Sequence, residues 1–208
     1  LSRGLGDVYK RQHVAGWTRF FTDQRGQYRG TFVSQMVAGL DDETKKFLYG
    51  DGRDPRRLRR LGEQLSAHLG SSLAEVGYVG PVCVDALVYR CRGGLRFKPI
   101  VEINPRTSMG RVALSLRQRV NSARTALWLV VTAREAQAAG CASLAEWAAE
   151  FETVWPARLA DDGAQIGEGA LFVTDPAQAG ACAGLLLVDQ TLSGCRQRAL
   201  EVGLDIGV

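Results

Sequence analysis

Apolar and polar positions alternate along this chain in a way that separates short elements. Trp17–Phe21 and Tyr28–Val37 read as two strands around the turn-rich stretch 22–26. The polar run "GLDDETKKFLYGDGR" that follows reads as a connector. Asp54 then supplies a helix N-cap and Pro55 a first helical residue. Leu58, Leu61, Leu65 and Leu69 recur at spacings of three and four, which predicts one helix stripe ending near Gly77. Val82–Tyr89 and Leu95–Asn104 are expected strands on either side of Gly93-Gly94. Thr107 or Ser108 caps a helix through "MGRVALSLRQRV", and helical sequence continues over about 122–139 and, after the cap Ser143, over about 144–159. "GALFVTD" and "AGLLLVD" predict two more strands, and Thr191–Val202 a last helix. The expected class is α+β, an antiparallel sheet with packed helices over residues 13–120 and a small α/β extension over 121–208.

Composition narrows the function classes. A length of 208 residues with 46% apolar residues fits one or two globular domains. The longest apolar run, Ala126–Val131, is far too short to span a membrane, so no membrane partner is expected. Five scattered cysteines without a C-x-x-C pair, and only two histidines, argue against zinc and for a reduced, cytoplasmic compartment. The first 12 residues, "LSRGLGDVYKRQ", resemble translated sequencing-adaptor sequence and are set aside as a non-native leader. Without Arg3, Lys10, Arg11 and Asp7 the formal charge falls from +4 to +2, which calls for no polyanionic partner. The expectation is a fragment of a longer protein.

Candidate chemistry concentrates in "IVEINPRTSMGRVAL". Glu102 and Asn104 share a strand face, because that face repeats every two residues. If Gly93-Gly94 form a two-residue turn, Asp85 falls directly opposite Glu102. Like charges so placed repel unless a cation lies between them. Two carboxylates and an amide oxygen make a hard oxygen set that suits Mg²⁺. The alternative is a pair of carboxylates on the wet face of a hairpin. Pro99 bears on the choice: it falls opposite Val88, and a one-residue bulge there would turn Asp85 to the other face. Beyond Pro105, Arg106 offers a phosphate-binding fork and Thr107-Ser108 open a helix whose free N–H groups favour an anion. Taken alone, Arg106 reads as a surface salt bridge.

The stretch "GYVGPVCVDALVYR…FKPIVEINPRTSMGRVAL" resembles the C-terminal half of the ATP-grasp fold, through Gly77, Gly80, Asp85, Glu102, Asn104, Pro105 and Arg106. The resemblance covers about residues 70–115. It implies an ATP- and Mg²⁺-dependent ligase that activates a carboxylate as an acyl phosphate for attack by an amine or other nucleophile. It also implies Asp85, Glu102 and Asn104 as metal ligands, the same residues with Arg106 against ATP, and Arg106 as the catalytic residue. Arg19 or Arg29 could add a phosphate contact. The family's nucleotide-binding lysine, Gly-rich loop and hinge have no counterpart between His13 and Tyr49, so the fragment is expected to be inactive alone.

Two other readings compete. A non-catalytic ATP-grasp-like assembly domain would keep the residues without the reaction. The run "GRDPRRLRR" suggests nucleic-acid binding, but Arg outnumbers Lys 22 to 4 across the chain, so the local enrichment reflects a general bias. No aromatic residue is interleaved for base stacking, and no nucleic-acid partner is expected. Trp128, Trp147 and Trp155 are assigned to core-facing helices, His68 to packing or surface, and Cys83 and Cys91 to structure.

Overall fold

The computed structural model describes residues 13–50, 56–161 and 163–207. Along the chain the elements are β1 (Arg19–Thr22), β2 (Tyr28–Ser34), α1 (Asp42–Tyr49), α2 (Arg56–Glu75), β3 (Cys83–Cys91), β4 (Gly94–Asn104) and α3 (Met109–Arg117). They continue with β5 (Thr125–Thr132), α4 (Ala133–Ala138), α5 (Leu144–Val154), β6 (Arg158–Leu159), β7 (Ile166–Phe172), β8 (Cys182–Asp189) and α6 (Leu192–Glu201). The class is α+β, with antiparallel pairing between all named strands. Among the described residues no helix is long and apolar enough to cross a membrane. The chain forms two compact units, one of residues up to Trp17 with Leu40–Ser108, the other of Thr18–Gly39 with Met109–Val208.

The second unit is built on a six-stranded sheet in the order β1-β2-β5-β8-β7-β6. Its two central strands are buried on both faces. Leu127, Leu129 and Val131 join Leu185 and Leu187 in one core, while Ala126 and Trp128 join Leu186 and Val188 in another. The first core also takes Leu144, Trp147, Phe151 and Trp155 from α5 and its end, and Cys195 and Ala199 from α6. Ala113 of α3 belongs to the second.

Here the expected helix over 122–139 is corrected: Thr125–Thr132 is strand β5 and only Ala133–Ala138 is helical. A strand covered on both sides shows a continuous apolar run instead of alternation, so its period is lost. Thr132 ends the strand and caps α4. Its backbone N–H donates to Glu135 Oε2 at 2.8 Å and its hydroxyl accepts from the Glu135 N–H at 3.3 Å. Trp128 is therefore core on a strand, not on a helix. The helix expected to reach 159 stops at Val154, because Pro156 has no N–H to continue it; Arg158–Leu159 pair with β7 instead.

The first unit holds α1, α2 and the hairpin β3–β4. The run taken as a connector contains α1, capped by Asp41, whose carboxylate accepts from the Thr44 N–H at 2.7 Å. That interaction holds the Asp41 carboxyl below its usual range. Arg90 of β3 forks onto Glu43 of α1 at 3.0 and 2.8 Å. The predicted start of α2 at Asp54-Pro55 lies outside the described residues. Its end agrees with expectation: Gly77 turns left-handed at φ 75° and the Tyr78 N–H returns to the Leu73 carbonyl at 2.9 Å. The leucine stripe is only half-buried, and among the unit's described residues Gly62 alone is fully buried. A Cβ there would come within 3.3–3.4 Å of Trp17 and Val14.

Candidate metal and phosphate site

The hairpin β3–β4 carries Asp85, Glu102 and Asn104, and Arg106 follows two residues beyond its end. Near its turn Cys91 pairs with Gly94, Arg90 with Leu95 and Leu87 with Lys98. The turn is thus Arg92-Gly93, one residue earlier than expected, and Gly94 carries the left-handed φ of 91°. Extended unchanged, that register would not put Asp85 opposite Glu102. Yet Asp85 does pair with Glu102, because the ladder is interrupted between Asp85 and Leu87. Two steps along β3 correspond to four along β4, so β4 carries two extra residues around Pro99.

Two is an even number, and this decides the geometry. A one-residue bulge would exchange faces; a two-residue one preserves them. Pro99 sits in this interruption, where a missing N–H costs no ladder hydrogen bond, and not opposite Val88 as expected. Asp85, Glu102 and Asn104 accordingly share one face, with Cys83 paired to Asn104.

The side chains form a short network. Asn104 Nδ2 donates to Asp85 Oδ2 at 3.3 Å, and Cys83 Sγ donates to Asp85 Oδ1 at 3.7 Å. Arg106 Nη2 donates to Asn104 Oδ1 at 3.1 Å, and the Arg106 N–H to the Asn104 carbonyl at 2.8 Å, which turns the chain out of the strand. Asp85 and Asn104 are half-buried; Glu102 and Arg106 are exposed. Glu102 makes no hydrogen bond or ion pair among the described residues. Burial pushes the Cys83 thiol up, and the charge of Asp85 adds to this while a hydrogen bond with Ser108 opposes it.

The donor set fits a hard cation in kind. Two opposed carboxylates lie about 5 Å apart at Cβ and repel each other without one. Among the described residues no group of three His, Cys, Asp or Glu side chains could hold a metal; beside the carboxylate pair on this face stands the amide of Asn104. Its amide nitrogen faces Asp85 while its oxygen takes Arg106. Turning the amide about its last torsion would present the oxygen to the ion.

Comparison with known proteins adds nothing to this geometry. No protein-family model, curated protein or solved structure matches the chain.

The remaining candidates are engaged elsewhere. Arg19 lies over the Phe32 ring, 3.5 Å from its centroid, and donates to the Ala38 carbonyl. Arg29 donates to the Val130 carbonyl at 2.8 Å and pairs with Glu135. Both serve the second unit's own packing, so neither is a spare phosphate ligand. On α2, Arg57 donates to the Phe47 carbonyl at 2.8 Å and Arg59 pairs with Glu63 at 2.9 Å. The register also brings to the face two groups that are not among the expected site residues, Cys83 and Lys98. The two-residue period alone would have found them, since Cys83 is two residues from Asp85 and Lys98 four from Glu102.

Proposed function

We propose that this chain carries the metal- and phosphate-binding part of an ATP-grasp ligase. The observation that supports the reading is Asp85 directly opposite Glu102, with Asn104 and Arg106 following from the same strand end. In the reaction, the terminal phosphoryl group of ATP passes to a substrate carboxylate and ADP leaves. An amine or other nucleophile then attacks the acyl phosphate and expels phosphate. Mg²⁺, when bound, supplies charge neutralisation on the phosphates. Asp85 and Glu102 hold it from a rigid ladder, and Asn104 completes the protein's share of ligands. Arg106 stabilises charge on the group in transfer; its exposed guanidinium has five N–H donors, of which hydrogen bonds to Asn104 and Thr107 engage two. Five free cysteines support a reduced, cytoplasmic location.

The test is binding, which does not depend on turnover. Mn²⁺ replaces Mg²⁺ as a paramagnetic probe. Asp85→Asn and Glu102→Gln should each weaken Mn²⁺ binding at least tenfold, about 1.4 kcal/mol, without lowering the melting temperature. Equal binding by wild type and both variants would sink the ligand assignment. A non-catalytic assembly role is the second reading, favoured by Val101 and Ile103, 50% and 38% exposed on β4. It predicts no cation dependence at all.

A further inference from the structure

The face that carries Asp85 and Glu102 does not end at the bulge. Leu87 is two residues from Asp85 on β3 and so lies on the same side. Lys98 is directly opposite Leu87, and Arg96 directly opposite Tyr89. From the Pro105 end toward the turn the paired residues are Cys83 with Asn104, Asp85 with Glu102, Leu87 with Lys98, and Tyr89 with Arg96. Charge along the face is therefore negative, then positive.

Neighbouring rungs on one face are roughly 7 Å apart along the strand. An exposed lysine next to an exposed glutamate would ordinarily form a salt bridge. Neither Lys98 nor Glu102 makes an ion pair or hydrogen bond among the described residues. Arg96 folds back over the turn, its Nη2 only 3.0 Å from where a Cβ on Gly93 would stand. With Arg106 engaged on Asn104 at the Pro105 end, Lys98 is the cation on the first rung toward the turn. A ligand that meets both rungs must bring a positive centre to Asp85 and Glu102 and a negative one to Lys98. A divalent cation carried on an oligophosphate has that arrangement.

We propose that Lys98 is a positioning residue that takes a phosphate oxygen of the metal–nucleotide. It would set the direction of the phosphate chain, from the Asp85–Glu102 rung toward the Arg92-Gly93 turn. This rests on the nucleotide reading above. A compact ammonium on a four-carbon stem suits the task, since it meets a phosphate as a point charge with three donors.

The experiment uses the 208-residue chain with two probes, free Mn²⁺ and Mn·ADP, followed by electron paramagnetic resonance. Lys98→Gln should raise the Kd for Mn·ADP about tenfold, the loss of one charge-assisted hydrogen bond, while free Mn²⁺ binding stays within about twofold. Lys98→Arg should recover most of the difference. If Glu102→Gln weakens Mn·ADP binding but Lys98→Gln binds it like wild type, Lys98 has no such role and the metal–nucleotide site stands. If wild type does not bind Mn·ADP, or Glu102→Gln leaves its binding unchanged, the nucleotide reading falls and takes this assignment with it. Circular dichroism of each variant separates a binding loss from unfolding.

Discussion

Asp85 faces Glu102 across the β3–β4 ladder only because two extra residues of β4 are looped out around Pro99. The parity of that insertion makes a sharp prediction. Deleting Pro99 alone leaves one extra residue and turns Glu102 and Asn104 to the opposite face from Asp85. Deleting Pro99 and Ile100 together restores an unbroken ladder with the pair on one face. Mn²⁺ binding should therefore disappear in the single deletion and return in the double one. Retained binding in the single deletion would show that the carboxylates do not act across the ladder.

Charge repulsion within the pair sets the sign of a second effect. Without divalent cations, Glu102→Gln removes a like-charge contact and should stabilise the hairpin by roughly 0.2–1 kcal/mol. With millimolar Mg²⁺, wild type should gain melting temperature and the variant should not. Differential scanning fluorimetry with and without Mg²⁺ reads both signs. A variant less stable than wild type in chelator would mean that Glu102 has a structural partner instead.

These two cases also show what was legible in the chain. The strand pair and the face shared by Glu102 and Asn104 follow from two-residue periodicity, a local signal. The opposition of Asp85 to Glu102 is expected from a Gly93-Gly94 turn that the chain does not make, and it holds because the bulge restores the register. The turn position and the bulge do not follow from the local signal, because Arg92-Gly93 and Gly93-Gly94 are both acceptable turns and only the finished ladder selects one. β5 was hidden by its burial on both faces, which removes alternation from "TALWLVVT". The pairing of β2 with β5, which brings Thr31 opposite Trp128, joins segments far apart in sequence. No local pattern contains that contact. α1 was hidden for a different reason: its charged sequence has no buried residue and is recognisable mainly by the Asp41 cap.

Buried thiols give the second unit a pH dependence. Burial pushes Cys195 up to about 12, with the charge of Asp189 adding to it, and pushes Cys141 up to about 11, with a hydrogen bond to the Glu150 carboxylate contributing. A raised acid pKa means that the folded state holds its proton more tightly than the unfolded chain. Their stabilisation is complete below the ordinary thiol value of 9.0 and is lost as pH rises through 11 and 12. Urea midpoints should be flat near neutrality and fall above about pH 9. Cys195→Ala should reduce that alkaline slope. An unchanged slope in both Cys195→Ala and Cys141→Ala would assign it to other groups, Tyr28 among them, which burial pushes up to about 12.

Trp147 joins packing and hydrogen bonding at one site. Its ring is fully buried against Phe151, with centroids 5.5 Å apart, and its Nε1 donates to the Val202 carbonyl at 2.7 Å beyond the end of α6. Trp147→Ala should cost about 3–5 kcal/mol, from lost burial and the cavity left behind. Trp147→Phe keeps much of the apolar volume but leaves the Val202 carbonyl without its donor, a loss of about 1–3 kcal/mol. The order of the two variants in chemical denaturation distinguishes the contributions. If Trp147→Phe is as damaging as Trp147→Ala, the hydrogen bond that fixes the C-terminal residues onto α5 dominates. If Trp147→Phe is nearly neutral, packing alone holds them there.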